Sequence, residues 1–310
     1  MTRTHLRDLP ADAIVVHGGM HKTGSSAIQN TLQRHRDTLA DAGWLYPRAG
    51  LVEQECTGHR HRTLMTEARD RGPSPSWRAL RDELAGWSGR VLISHENFFS
   101  PQVAPDAVAG RLPDGRPVYL LAYLRHPVDY VESCYREWVR RWKYRHGIRS
   151  FYDTRAAYLD VAAQRDAWRR TIGDDHLLLR PCDRTRLVGG NVLDDFIDVL
   201  GLDVPLPAAP GVANESLSSS QTLVHLIANR TCAPAAARDR VSGGLGRPLQ
   251  PRRIADDTLV GTIADRHLVA FREALGDRGA LSDSAFADLP ADPLFRDACA
   301  HRLVEELLTA

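Results

Sequence analysis

Cysteine is scarce in this chain and never clusters. Cys56, Cys134, Cys182, Cys232 and Cys299 are odd in number, scattered, and nowhere spaced C-x-x-C. That argues against a disulfide framework or a cysteine-bound zinc. Long apolar runs are missing too. Ala13–Val16 is too short for a signal or a membrane span, and the residues before it are polar and charged. Net charge is nearly absent. Lys and Arg number 40 against 39 Asp and Glu, leaving +1, so no global field draws the chain to nucleic acid or a membrane surface. Any anion binding must come from local clusters. No internal repeat and no long low-complexity tract is found. These absences lead to the expectation of a reduced, cytoplasmic protein, and composition is silent on oligomeric state.

What is present is strand-helix alternation. Ala13–His17, Arg90–Ser94, Val118–Leu124 and His176–Arg180 lack polar alternation and are β-branched or leucine-rich, as buried parallel strands are. Helical patterns lie between and after them at Ser25–Ala42, Ser76–Trp87, Val128–Arg145, Tyr152–Ile172 and Gly189–Leu200. The expected fold class is α/β, an open parallel sheet of P-loop-like type flanked by helices, with right-handed crossovers. After the Pro-rich connector Asp203–Pro210 only helices follow, at Gln221–Asn229 and Asp257–Leu275. Between them Arg240–Pro248, glycine-rich and basic, is expected to be a mobile surface loop. A single domain is expected over residues 1–310, with its core about 12–230 and a helical extension about 231–310 packed on the sheet.

Ligands of such sheets bind at the carboxyl ends of the strands. Three polar segments fall there. The first is Gly19-Met-His-Lys22-Thr23-Gly24-Ser25-Ser26, which follows an apolar strand and opens a helix. Small residues let backbone N–H groups approach a phosphate, the helix dipole favours negative charge, and Lys22 adds a full charge. The G-x-x-x-x-G spacing of a P-loop is kept, but the lysine sits inside the loop and Ser25 stands where a nucleotide kinase places lysine. The plainer reading is a tight turn capped by Ser25 or Ser26.

The second segment is Arg125-His126-Pro127, leading to Ser133. Pro127 suits the first helical turn, and an arginine fork with a serine hydroxyl suits a phosphate monoester. The alternative is an arginine paired with a surface carboxylate. The third is Ser94-His95-Glu96, where an imidazole or carboxylate could take a proton from an acceptor hydroxyl. Alternatively Glu96 caps the next segment or pairs with an arginine.

Taken in this order, the three segments resemble the sulfotransferases that use 3′-phosphoadenosine 5′-phosphosulfate (PAPS), in their bacterial, carbohydrate-type branch. His21-Lys22-Thr23-Gly24-Ser25-Ser26 is similar to that family's 5′-phosphosulfate loop, and Arg125 with Ser133 to its 3′-phosphate pair. Leu177–Phe196 and Asn214-Glu-Ser-Leu-Ser also have the family's look, and the likeness covers roughly residues 12 to 230. The resemblance implies sulfuryl transfer to a hydroxyl or amine of a small-molecule or glycan acceptor, with adenosine 3′,5′-bisphosphate (PAP) as product and no metal. It implies Lys22 as the neutraliser of leaving-group charge, and Glu96 as the base with His95 as the substitute. His126 departs from the acidic residue many members carry there. Arg240–Arg247 is a lid candidate by composition alone, and no adenine-stacking residue is legible.

The helix after Ser133 interleaves Arg136, Arg140, Arg141, Lys143 and Arg145 with Trp138, Trp142 and Tyr144. That suits a sugar or an anionic acceptor, or simply an amphipathic helix with a solvated basic face and a tryptophan-anchored core side. Trp44-Leu45-Tyr46-Pro47 could line an acceptor pocket or pack beneath the first helix. Two other function classes stay open. A small-molecule or nucleotide kinase would share the cradle but needs lysine beside the hydroxyl residue and an acidic magnesium ligand. A binding module would hold a nucleotide without turnover.

Overall fold

A computed structural model describes residues 6–52, 59–204, 206–207, 216–245, 251–276, 284, 286–287 and 289–309. Five strands are described: β1 (Ile14–Gly19), β2 (Trp44–Leu45), β3 (Arg90–Ser94), β4 (Val118–Leu124) and β5 (Leu177–Pro181). They form one parallel sheet in the order β2-β3-β1-β4-β5. Consecutive strands that are not sheet neighbours require crossovers, so helices cover the faces and the strands become apolar throughout. β1, in the middle, is buried along its whole length. Its register sets Val15 beside Leu92 on one side and Tyr119 on the other.

The chain divides into two compact units. The first, Met1–Arg125 with Asp160–Gly211 and Ala270–Ser282, holds the sheet. On one side of it α1 (Ser25–Arg34), α2 (Arg36–Asp41) and α9 (Val192–Leu200) bury Ile28, Leu32, Leu39, Phe196 and Val199 against Val15, Leu92 and Leu121. α8 (Val161–Ile172) lies against β4 and β5, and the Trp168 indole donates to the Phe98 carbonyl at 3.1 Å. The remaining helices of this unit include α3 (Arg62–Asp70), α4 (Pro75–Ala85) and α5 (Pro105–Ala109).

The second unit, His126–Leu159 with Val212–Val269 and Asp283–Ala310, is helical. α10 (Ser219–Thr231) touches α6 (Pro127–Arg141), α11 (Ala235–Gly244) and α13 (Ala298–Thr309), and Leu223, Val224, Ile227 and Leu308 form its core. Ser218 and Gln221 close a reciprocal capping box at the start of α10. α7 (Ile148–Arg155) packs against α6, and α12 spans Asp257–Leu275. This unit takes in α6 and α7.

Three local expectations change. The helix expected over Ser25–Ala42 is broken at His35, which leaves helical backbone angles between α1 and α2. That expected over Tyr152–Ile172 is divided by a 3-10 turn at Ala156–Leu159 and restarts at Asp160, whose carboxylate accepts the Ala163 N–H at 3.0 Å. Arg240–Gly244 is helical, not a loop. A run of alanines and arginine after Pro234 starts α11 and carries it through Gly243 and Gly244. Gly246, Arg247 and Pro248, and the first residues of Asn214-Glu-Ser-Leu-Ser, lie outside the described residues.

Candidate active site

The loop from β1 to α1 is built by glycine and held by its carbonyls. Gly19 has φ 135°, and a Cβ there would stand 2.8 Å from the Tyr123 carbonyl oxygen, so only glycine passes over β4 at this point. Met20 N–H then donates to that same Tyr123 oxygen at 3.0 Å. Thr23 Oγ1 donates to the Met20 carbonyl at 2.8 Å, Arg125 Nη1 to the Lys22 carbonyl at 2.8 Å, and Cys182 Sγ to the Thr23 carbonyl at 3.6 Å. Three carbonyls that would repel an anion are each engaged by a donor. Thr23 is therefore left to offer its N–H, while Ser25 and Ser26 are the hydroxyls nearest the surface.

Gly24, at φ 84°, is the N-cap of α1. No side chain caps the helix and its first turn carries no carboxylate. The positive end of the dipole is open to an external anion. The cap that the plainer reading assigned to Ser25 or Ser26 is not made. Lys22 is half-buried and lies at φ 68°, a left-handed conformation unusual for lysine.

β3 delivers the second group. His95 directly follows the strand and accepts the Asn97 N–H on Nδ1 at 3.0 Å, capping a 3-10 turn over Glu96–Phe99. The capping role considered for Glu96 falls to His95. With Nδ1 accepting, the proton of a neutral ring sits on Nε2, so His95 can donate but has no free lone pair. Burial lowers its pKa to about 4, against a smaller opposing effect of Glu96. Glu96 is only 5% exposed. Its Oε1 pairs with Arg60 Nη1 and faces His21 Nδ1 at 3.7 Å, and its Oε2 faces His95 Nδ1 at 3.7 Å. Burial pushes the carboxyl up, but His95, His21 and Arg60 together pull it down to about 2. His21 thus joins the loop to the end of β3, and Arg125 joins it to the end of β4. Lys22, Thr23, Gly24, Ser25, Ser26, His95, Glu96 and Arg125 all belong to the first unit.

No family model matches the chain. It is 26% identical over 135 residues to an uncharacterised protein of Archaeoglobus fulgidus, a match that covers 43% of this chain and 36% of that protein. The chain therefore spans about a third of the length of the curated relative it matches. Among the solved structures similar to it are these two. One is a sulfotransferase from Alicyclobacillus acidocaldarius, at 20% identity and TM-score 0.42, over 76% of this chain and 97% of that one. The other is retinol dehydratase in complex with androsterone and the inactive cofactor PAP, at 12% identity and TM-score 0.26, over 98% and 82%.

Beneath the loop lies a buried polar network that motif reading did not find. Ser94 Oγ contacts His17 Nδ1 at 2.8 Å and accepts from Gln29 Nε2 at 3.1 Å. His61 grips the Ser94 backbone twice: its N–H donates to the Ser94 carbonyl at 2.9 Å and its Nδ1 accepts the Ser94 N–H at 3.0 Å. Its Nε2 then carries the proton and donates to the Pro47 carbonyl at 3.1 Å. Burial drives His17 to about 4 and His61 to about 3. Neither Arg60 nor His61 has a local signal, because each acts on a strand more than thirty residues away.

Other candidates sort themselves by burial. Trp44 and Tyr46 belong to the core beneath α1, with Ile28 and Leu32. In the second unit Ser133 sits on α6, 4% exposed. His126, the departure from the family pattern, caps α6 by accepting the Val128 N–H on Nδ1 at 3.2 Å. Of the basic residues, Arg136 is buried on Glu132, while Arg140, Arg141, Lys143 and Arg145 are exposed. Trp138 packs on Phe151 under the Arg155 guanidinium, and Trp142 is exposed. That is the amphipathic pattern. Among the described residues no group of three or more His, Cys, Asp or Glu could hold a metal, and no helix is long and apolar enough to cross a membrane.

Proposed function

We propose that the chain moves a sulfuryl group from PAPS to a hydroxyl or amine of a carbohydrate or small-metabolite acceptor. One observation carries the reading: an uncapped helix start with Lys22 inside its loop, linked through His21 to a buried carboxylate at the next strand end. The donor set fits the phosphosulfate. It offers backbone N–H groups, the Ser25 and Ser26 hydroxyls and one cation, with the loop carbonyls at Met20, Lys22 and Thr23 engaged.

PAPS supplies sulfur on a phosphate leaving group, so an acceptor oxygen gains sulfur as that S–O bond breaks and PAP departs. The work left to the chain is positioning and charge stabilisation. Lys22 neutralises charge that grows on the leaving oxygen. Glu96 receives the acceptor's proton, because His95 has no free lone pair for it. Arg125, beyond its bond to Lys22, has donors left for the 3′-phosphate.

The test is PAP release from PAPS by the wild-type chain and by Glu96→Gln. Transfer should fall at least about a hundredfold in the variant with PAP affinity kept. PAP binding without any turnover by the wild type would point to a binding module.

A further inference from the structure

Arg60 holds the one carboxylate that the proposed reaction needs, and the pair is incomplete. Nη1 of Arg60 bonds Oε1 of Glu96. Among the described residues, Nε of Arg60 and Oε2 of Glu96 are both buried and without a hydrogen-bond partner. Buried polar atoms in native proteins are nearly always satisfied, so two open valences on one ion pair call for further polar groups. Nε asks for an acceptor and Oε2 for a donor.

The segment carrying Arg60 is fixed. His61, next in the chain, grips both backbone groups of Ser94. The Arg60 side chain is nonetheless 20% exposed, against 7% for Glu96, so the arginine can be reached first. An arginine fork offers paired N–H groups that match the two oxygens of a carboxylate, sulfate or phosphate. Oε2 matches a hydroxyl.

We propose that Arg60 is the acceptor-recognition residue and a latch on Glu96. An oxyanion on the acceptor takes the guanidinium and frees the carboxylate for the neighbouring hydroxyl. The proposal rests on the sulfotransferase reading and narrows its substrate to hydroxyl compounds that carry an oxyanion, of which a uronic acid sugar is the simplest carbohydrate example. In the step itself the acceptor O–H bond breaks, its proton passes to Oε2 of Glu96, and the freed electron pair forms the O–S bond as the bond from sulfur to the 5′-phosphate oxygen breaks and PAP leaves with that electron pair. Withdrawing Arg60 removes one of the charges that hold Glu96 near 2, which makes it a stronger base when the acceptor is in place. A neutral acceptor leaves the latch closed.

The experiment supplies PAPS and a panel of hydroxyl compounds in matched pairs, such as methyl glucuronoside against methyl glucoside and sulfated or phosphorylated sugars against their parents. It reads PAP release for the wild type, Arg60→Gln and Arg60→Lys, with PAP affinity by thermal shift as a separate readout. The wild type should favour the charged member by about tenfold or more in kcat/KM. Arg60→Gln should lose that preference and turn over the neutral member faster than the wild type, with PAP affinity unchanged. Arg60→Lys, which keeps charge without the fork, should fall between. Equal use of both members by the wild type overturns the proposal, as does full preference in either variant. So does a chain that binds PAP but uses no charged member. A wild type that fails to bind PAP overturns the sulfotransferase reading instead.

Discussion

Arg125 Nη1 donates to the Lys22 carbonyl at 2.8 Å, so the arginine at the end of β4 holds the loop that carries the lysine. Its substitution should therefore act twice. Arg125→Ala loosens a loop that any adenosine phosphate would use, and it also removes a donor for a 3′-phosphate. Affinity for AMP should drop a few-fold and affinity for PAP by about a further tenfold. Calorimetric titration of both nucleotides checks this, and equal losses would contradict the second role.

Lys22 sets stability against function. Its φ of 68° is strained for a residue with a Cβ, and such strain persists where the surroundings demand it. Lys22→Gly should leave the urea midpoint unchanged or raise stability by up to about 1 kcal/mol, while PAP release falls at least about a hundredfold. Loss of both together would mean that the lysine is structural.

His95 and Glu96 are adjacent but not interchangeable. The Nδ1 of His95 is committed to the Asn97 N–H, and asparagine can make the same cap. His95→Asn should keep transfer within about tenfold of the wild type, whereas Glu96→Gln should lose it by about a hundredfold or more. If His95→Asn is as inactive as Glu96→Gln, the base has been misassigned.

The fold itself should be acid-sensitive from a defined point. Burial holds His17 and His95 near 4 and His61 near 3, so all three are neutral in the native state. In the unfolded chain they titrate near 6.5. Below that pH the unfolded state binds protons that the folded state does not, and stability falls until the folded values are reached. Glu96 adds a later loss: its folded value of about 2 lies below the unfolded one, so its contribution is present above 4.5 and lost below. Unfolding free energies from urea titrations should be flat from pH 8 to about 6.5 and then drop, by several kcal/mol in all near pH 4. A flat profile down to pH 5 would contradict the burial of these rings.

Local chemistry explains what could be read from the chain and what could not. β1, β3, β4 and β5 lie within a residue or two of the apolar runs that announced them, because buried parallel strands leave an unbroken apolar signature. β2 is two residues long, too short to carry a period. The loop at Gly19–Ser26 was legible because its glycines and lysine are consecutive. The Arg60–Glu96 and His61–Ser94 contacts were not, since no local pattern marks a side chain that pairs across thirty residues. The identity of the cap at β3, His95 and not Glu96, turned on which side chain the strand end aims at the next turn.

Thermal unfolding with PAP, and separately with ATP and magnesium, tests the central reading most directly. A ligand bound only by the folded state raises its stability by about 2.7 kcal/mol at a hundredfold excess over Kd. The loop with its internal lysine, the open helix start and Arg125 predict a clear upward shift with PAP and a smaller one, or none, with ATP and magnesium. A shift with ATP and magnesium alone would contradict the sulfotransferase assignment.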